Sequence, residues 1–273
     1  MEAQTLSAEL ETPYAIGEGT INFYRENGYV KLKNVLSSDV LNYYGPIISD
    51  LVIQLNTLTK PMHERTTYER AFLQIMNLWT EDERAKAFVF SKRLANIAAD
   101  LMGVRGVRLY HDQALYKEPS GGITPWHADQ FYWPLSLPKT VTAWIPLQAT
   151  PMAMGPLAFA EKSQSVEIGR DLEISDESEK ILADELQRQQ FAMNDTPFEL
   201  GEVSFHAGWT FHRAGPNAAD VPRKVMTMIY MDQDQRVVQP RNNHQQADLE
   251  KWLGNVPVGS VTDGPLNPVL FSY

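Results

Sequence analysis

Residues 124–134 read TPWHADQFYWP, and the reading of that stretch decides much of the rest. In an extended strand side chains alternate, so His127 and Asp129 would share one face while Ala128 points to the other. Phe131 and Trp133 keep the same parity, which makes that face apolar around two polar groups and marks both aromatics as substrate-pocket candidates. A buried carboxylate without a partner is costly, and a metal ion is one of the few partners that offset the cost. Taken alone, H-x-D is a common pattern. A turn-capping Asp129 beside a locally bonded His127 is then the plainer reading.

Working outward, the stretch SFHAGWTFHRAGPN (204–217) supplies His212 just before an Ala-Gly-Pro-Asn turn. Two histidines and one carboxylate, with coordination positions left open, form the facial triad of non-haem Fe(II) oxygenases. A zinc or manganese hydrolase or isomerase on a cupin-like barrel would use the same ligands, so the triad alone does not name a reaction. His206 competes with His212 for the third place. Past AGPNAADVP lies Arg223, which a hairpin would return to the strand neighbouring His212. A guanidinium binds carboxylate through two parallel hydrogen bonds, so Arg223 is the candidate clamp for a dicarboxylate chelated to the metal.

The surrounding texture fits a site between two sheets. The first hundred residues read mainly helical, with helices over 20–26, from Ser38 (kinked at Gly45-Pro46) and over 91–102, where Ser91 caps and Gly103 stops the last. From about residue 105 short β-branched and aromatic runs follow: VRLYHDQALYK, VTAWIPLQA, PLAFAE, FELGEVSFHA and RKVMTMIYM, with one charged helix over about 175–190. Helices first and many short strands later indicate a mainly β fold with flanking helices, a β-sandwich or jelly roll with a wide mouth between its sheets. No linker or repeat divides the chain, so one domain spanning 1–273 is expected. LTKPMHERTTYER (58–70) is a candidate lid.

Composition narrows the partners. The 273 residues carry a formal net charge of −10 and no dense basic patch, which argues against nucleic acid or an anionic membrane. With no cysteine, disulfides, thiolate metal sites and cysteine nucleophiles are excluded together. The first residues lack the apolar core of a signal peptide, and no apolar run approaches the roughly 20 residues of a membrane span. A soluble cytoplasmic protein acting on a small molecule is the expectation.

Taken together, GITPWHADQFYWP, TAWIPLQ, GPLAFAEKSQ, GEVSFHAGWTFHRAGPN and PRKVMTMIYM resemble the phytanoyl-CoA dioxygenase family of Fe(II)- and 2-oxoglutarate-dependent oxygenases. The resemblance runs from about Gly28 to about Met231. It implies a double-stranded β-helix, a cupin-like jelly roll, with Fe(II) on His127, Asp129 and His212. It also implies 2-oxoglutarate as co-substrate with its far carboxylate on Arg223, O2 as oxidant, and succinate and CO2 as co-products. Trp144 matches a residue that lines the co-substrate pocket in family members, although plain core packing suits it as well. Gln113 matches a polar position facing the substrate.

Related halogenases replace the carboxylate by a small residue, so the retained Asp129 favours hydroxylation of an unactivated C–H or a desaturation-type oxidation. Two positions depart from the family pattern. Glu161-Lys162-Ser163-Gln164 stands where many members read P-G-S-H, and Ala214 stands where some carry a hydroxyl, which implies that another donor assists Arg223. A catalytically silent jelly-roll binding protein is the alternative from outside enzymology.

Overall fold

The computed structural model describes residues 2–273, with side chains from Leu6 onward. In chain order the elements are α1 (Glu2–Glu11), α2 (Glu18–Asn27), β1 (Tyr29–Leu32), α3 (Ser38–Leu55), α4 (Thr67–Ala71), β2 (Leu73–Met76), α5 (Glu83–Val89) and α6 (Lys92–Met102). The second half continues with β3 (Gly106–Lys117), β4 (Thr124–His127), β5 (Thr140–Pro146), β6 (Leu157–Ala160), α7 (Asp176–Arg188) and β7 (Met193–Asn194). It ends with β8 (Val203–Ala207), β9 (His212–Ala214), β10 (Arg223–Asp232), α8 (Asn243–Lys251) and β11 (Val269–Ser272).

Two antiparallel sheets result. The larger has seven strands in the order β1-β8-β5-β10-β3-β11, with β2 also paired to β3; the smaller has four in the order β4-β9-β6-β7. Apart from β2–β3 and β6–β7, the paired neighbours are strands that are not successive in the chain, as the jelly-roll expectation requires. The second half of FELGEVSFHA alone forms a strand, because the turn at Gly201 precedes it.

Strand alternation divides the work of the large sheet. Along β10, Met226, Met228 and Tyr230 join Ala143, Ile145, Val203 and Phe205 on the outer face. Buried residues of α1, α3, α5 and α6 cover that face and form the main core. Their apolar stripes are the reason these helices lie there, since a sheet face left bare would expose large apolar area. The alternate residues, Arg223, Thr227 and Ile229 on β10 with Thr142 and Trp144 on β5, face inward and line a cavity.

Local signals behave as their chemistry dictates. Ser91 Oγ accepts from the Leu94 amide, and Gly103 closes α6 at φ 66°. The helix from Ser38 continues through Gly45-Pro46 as one element, and the Ser49 hydroxyl donates to the Gly45 carbonyl at 2.8 Å. Among the described residues, no helix is long and apolar enough to cross a membrane.

Candidate active site

His127 is the last residue of β4 and His212 the first of β9, and the two are register partners across the small sheet. Their rings lie 4.1 Å apart between centroids. His127 Nδ1 faces the Pro125 carbonyl at 2.7 Å and His212 Nδ1 faces the Thr210 carbonyl at 2.9 Å. A carbonyl only accepts, so each Nδ1 carries the proton and each Nε2 presents a lone pair. Both lone pairs converge on Asp129 Oδ1, at 3.6 Å from His127 and 3.5 Å from His212.

Asp129 does not reach this point by strand alternation. β4 ends at His127, and Asp129–Tyr132 form one turn of 3-10 helix. The same turn corrects the parity expected for the aromatics beyond it. Phe131 lines a neighbouring groove with Trp209 and Arg170 instead of the metal cavity, whereas Trp133 stands in the wall between the two.

Two groups of the large sheet hold the other carboxylate oxygen. Thr142 Oγ1 donates to Asp129 Oδ2 at 2.8 Å, and His206 Nε2 lies 3.2 Å from the same oxygen. His206, the rival for third ligand, therefore acts on the aspartate from the opposite sheet. The three ligand atoms of His127, Asp129 and His212 all lie within 4.8 Å of one another, an arrangement that fits one metal ion. Protonation states suit coordination too. Burial, then the neighbouring histidines, hold His212 well below the usual histidine range and therefore neutral. Burial alone would raise Asp129, but the polar groups around its carboxylate hold it well below the usual carboxylate range.

The cavity extends from these residues with a volume of about 510 Å³. At one end stands Arg223, 1 % exposed, its guanidinium 5.4 Å over the Trp144 ring. One Nη donates to the Gly155 carbonyl, Nε has no partner, and no carboxylate among the described residues pairs with the group. Burial pushes it down to about 9. A buried, unpaired guanidinium is expensive to maintain, and an incoming carboxylate would satisfy it. Arg223 lies on β10 of the large sheet and His212 on β9 of the small one, so the expected hairpin between adjacent strands is not formed. The chain between them crosses from one sheet to the other, and both side chains line the same cavity.

Sequence reasoning missed Lys117 and Thr124. Lys117 is the register partner of Arg223 and is fully buried; burial, then the adjacent guanidinium, pushes its ammonium down to about 6. Its Nζ donates to the Gly122 carbonyl and lies 3.4 Å from Thr124 Oγ1. Thr124 lines the cavity directly opposite Ala214 in register, so it brings a hydroxyl to the region where position 214 lacks one. The signal available in the sequence was a lysine at inward parity on a strand of otherwise uncharged cavity residues.

Gln113 lines the cavity and accepts from Gln74 Nε2 at 2.6 Å, while Gln74 accepts from the Tyr68 hydroxyl at 2.7 Å. Tyr68, near the end of the 58–70 stretch, and Phe72 beyond it stand in the cavity wall.

The phytanoyl-CoA dioxygenase family model matches residues 24–225. A protein of Stutzerimonas stutzeri named "Probable alpha-ketoglutarate-dependent hypophosphite dioxygenase" is 22% identical over 228 residues, covering 77% of each chain. Among solved structures, the alpha-ketoglutarate-dependent carbocyclase SnoK from nogalamycin biosynthesis superimposes with a TM-score of 0.78 at 24% identity, covering 95% of this chain and 100% of SnoK. The epimerase SnoN in complex with Fe3+, alpha ketoglutarate and nogalamycin RO gives 0.78 at 23% identity, covering 93% and 98%. The fold is thus shared with proteins whose names span different reactions.

Proposed function

The chain belongs to the phytanoyl-CoA dioxygenase family, and on that premise we propose that it is an Fe(II)- and 2-oxoglutarate-dependent dioxygenase that hydroxylates an unactivated C–H of a small organic molecule. The observation that carries this reading is the convergence of His127 Nε2, His212 Nε2 and Asp129 Oδ1 on one point beside a buried, unpaired Arg223. A hydrolase would need the three ligands but would have no use for a guanidinium held without a counter-ion.

His127, Asp129 and His212 hold the iron, and Arg223 receives the far carboxylate of 2-oxoglutarate with Thr124 and Lys117 beside it. When bound, iron and 2-oxoglutarate supply the oxidising chemistry with O2. The protein supplies placement. Trp144 forms a flat wall under the Arg223 guanidinium and confines the co-substrate. Thr142 and His206 keep Asp129 turned with one oxygen to the metal. The Tyr68–Gln74–Gln113 chain closes the substrate side and limits access of water.

The retained carboxylate at 129 supports hydroxylation over halogenation, since it fills the position a halide would need. The names of SnoK and SnoN belong to carbocyclisation and epimerisation; the shared fold is compatible with either, and the ligand set here does not require them. The reading is tested by anaerobic reconstitution with Fe(II) and 2-oxoglutarate, followed by a substrate library with succinate release as readout. Succinate that depends on 2-oxoglutarate and O2, and that disappears in Asp129→Ala, is the expected result. Full activity in Asp129→Ala would remove the aspartate from the centre.

A further inference from the structure

The wall of the cavity away from Arg223 is built from different chemistry. The register between β3 and β10 shifts at Ile229/Tyr230, which leaves Tyr110 as an extra residue beside His111. Bulges of this kind re-aim side chains near functional sites. Here the Tyr110 hydroxyl donates to Asp248 Oδ2 of α8 at 2.7 Å, and both Asp248 and His111 line the cavity. Among the described residues nothing donates to Asp248 Oδ1, and no cationic side chain lies within ion-pair distance of it. His244, one turn earlier on α8, is already paired with Glu173 at 2.6 Å.

His111 is the second observation. It is 5 % exposed, lines the same cavity, and its Nδ1 has no hydrogen-bond partner. Burial pushes it down to about 3, so it is a neutral imidazole with hydrogen-bonding capacity unused. Its ring lies 5.9 Å from that of Trp252, and Tyr68, Phe72, Tyr132 and Trp133 complete an aromatic enclosure.

We propose that the substrate is an amine, a protonated nitrogen on an apolar body, with Asp248 Oδ1 as its counter-ion inside the aromatic wall; calling this ligand the substrate rests on the oxygenase reading above. Aromatic faces attract a cation and accommodate its hydrocarbon body at once. A purely apolar ligand would bury Asp248 Oδ1 without a partner, and an anion would meet both Asp248 and Glu173. Burial pushes Asp248 up to about 7, although the Tyr110 hydrogen bond, His244 and Lys251 pull the other way. A bound cation relieves that penalty.

The placement also sorts the two ligands. His111 is the partner of Ile229, six residues along β10 from Arg223, which is about 20 Å of strand. Carboxylates are drawn to the Arg223 end and repelled from the Asp248 end. The cation is steered oppositely, so each ligand reaches its own side of the metal centre.

Calorimetric titration of the metal-free full chain with phenethylamine and with 2-phenylethanol, its neutral counterpart of similar shape, tests the inference. At about pH 8.5 Asp248 is ionised and an alkylamine remains protonated. Phenethylamine is expected to bind about tenfold tighter or more, the scale of one hydrogen bond to a charged group. Asp248→Asn keeps an acceptor for Tyr110 and should abolish the preference, with Trp252→Leu weakening the amine while the alcohol changes less. Equal affinities, no binding of either compound, or a preference that survives in Asp248→Asn would overturn the proposal. The measurement needs neither iron nor 2-oxoglutarate. An amine preference without 2-oxoglutarate-dependent succinate would therefore sink the oxygenase reading alone, and succinate formation without an amine preference would sink this one alone.

Discussion

His206 Nε2 and Asp129 Oδ2 meet at 3.2 Å, one from the large sheet and the other from the turn that ends a strand of the small sheet. The contact ties the metal ligand to the opposite layer of the sandwich, and the Thr142 hydroxyl strengthens the tie at 2.8 Å. Removing a group that orients a ligand typically costs about 10–100-fold in metal affinity. His206→Leu should weaken Fe(II) binding on that scale in an anaerobic titration, while His206→Gln, which keeps a donor, should recover part of it. An unaltered Fe(II) affinity in His206→Leu would mean that Thr142 alone orients the carboxylate.

The role proposed for Arg223 predicts opposite effects on co-substrate binding and on stability. Its guanidinium is buried without a carboxylate partner, so the free protein bears a desolvation cost that the ligand would relieve. Arg223→Met should raise the KM for 2-oxoglutarate by about 100-fold, the order expected when a buried charge pair loses one member. The melting temperature of the ligand-free variant should stay level or rise. Arg223→Lys should recover little, because an ammonium lacks the planar fork. A lowered melting temperature with an unchanged KM would reverse the assignment.

The legibility of the site follows the range of the physics. His127, Asp129 and His212 were legible because metal chelation requires particular donor types, and those types are sparse in a chain with six histidines. Strand alternation needs an unbroken strand such as β10, which the composition of RKVMTMIYM announced. It failed at Phe131, because the strand stops at His127 and a turn has no two-residue period. The contacts of Lys117 with Thr124, and of Tyr110 with Asp248, arise from tertiary pairing and a bulge. No local pattern announces either.

Asp112 offers a pH test away from the metal. It lies on the outer face of β3, fully buried, with Oδ2 accepting from the Leu78 amide and Oδ1 unpartnered. Burial pushes the folded carboxyl up to about 7 from an ordinary 3.8. Between those values the folded state binds the proton and the unfolded state does not. This group's contribution to stability therefore falls as pH rises, and its penalty is complete above about 7. Asp112→Asn removes the ionisation, so it should gain on the parent by a few kcal/mol, to order of magnitude, between about pH 4 and pH 7. Denaturant melts of both proteins across that interval check the sign. A difference independent of pH would show that the carboxyl does not titrate there.

Gly155 links backbone geometry to the Arg223 end of the cavity. Its φ is +63°, and a Cβ there would lie 2.2 Å from the Gly215 carbonyl oxygen, backbone that has no flexible end to swing aside. Its own carbonyl is the acceptor for Arg223 Nη1. Gly155→Ala must therefore shift the turn, at a cost of about 1–3 kcal/mol, and carry the guanidinium's acceptor with it. The melting temperature should fall by several degrees, and the KM for 2-oxoglutarate should rise even at temperatures where the variant is fully folded. Gly19→Ala is the matched control, since a Cβ at that helical position meets nothing within 4 Å and should be neutral or stabilising. A folded Gly155→Ala with parental KM would establish that Arg223 is positioned without this carbonyl, leaving Trp144 and the strand register to hold it.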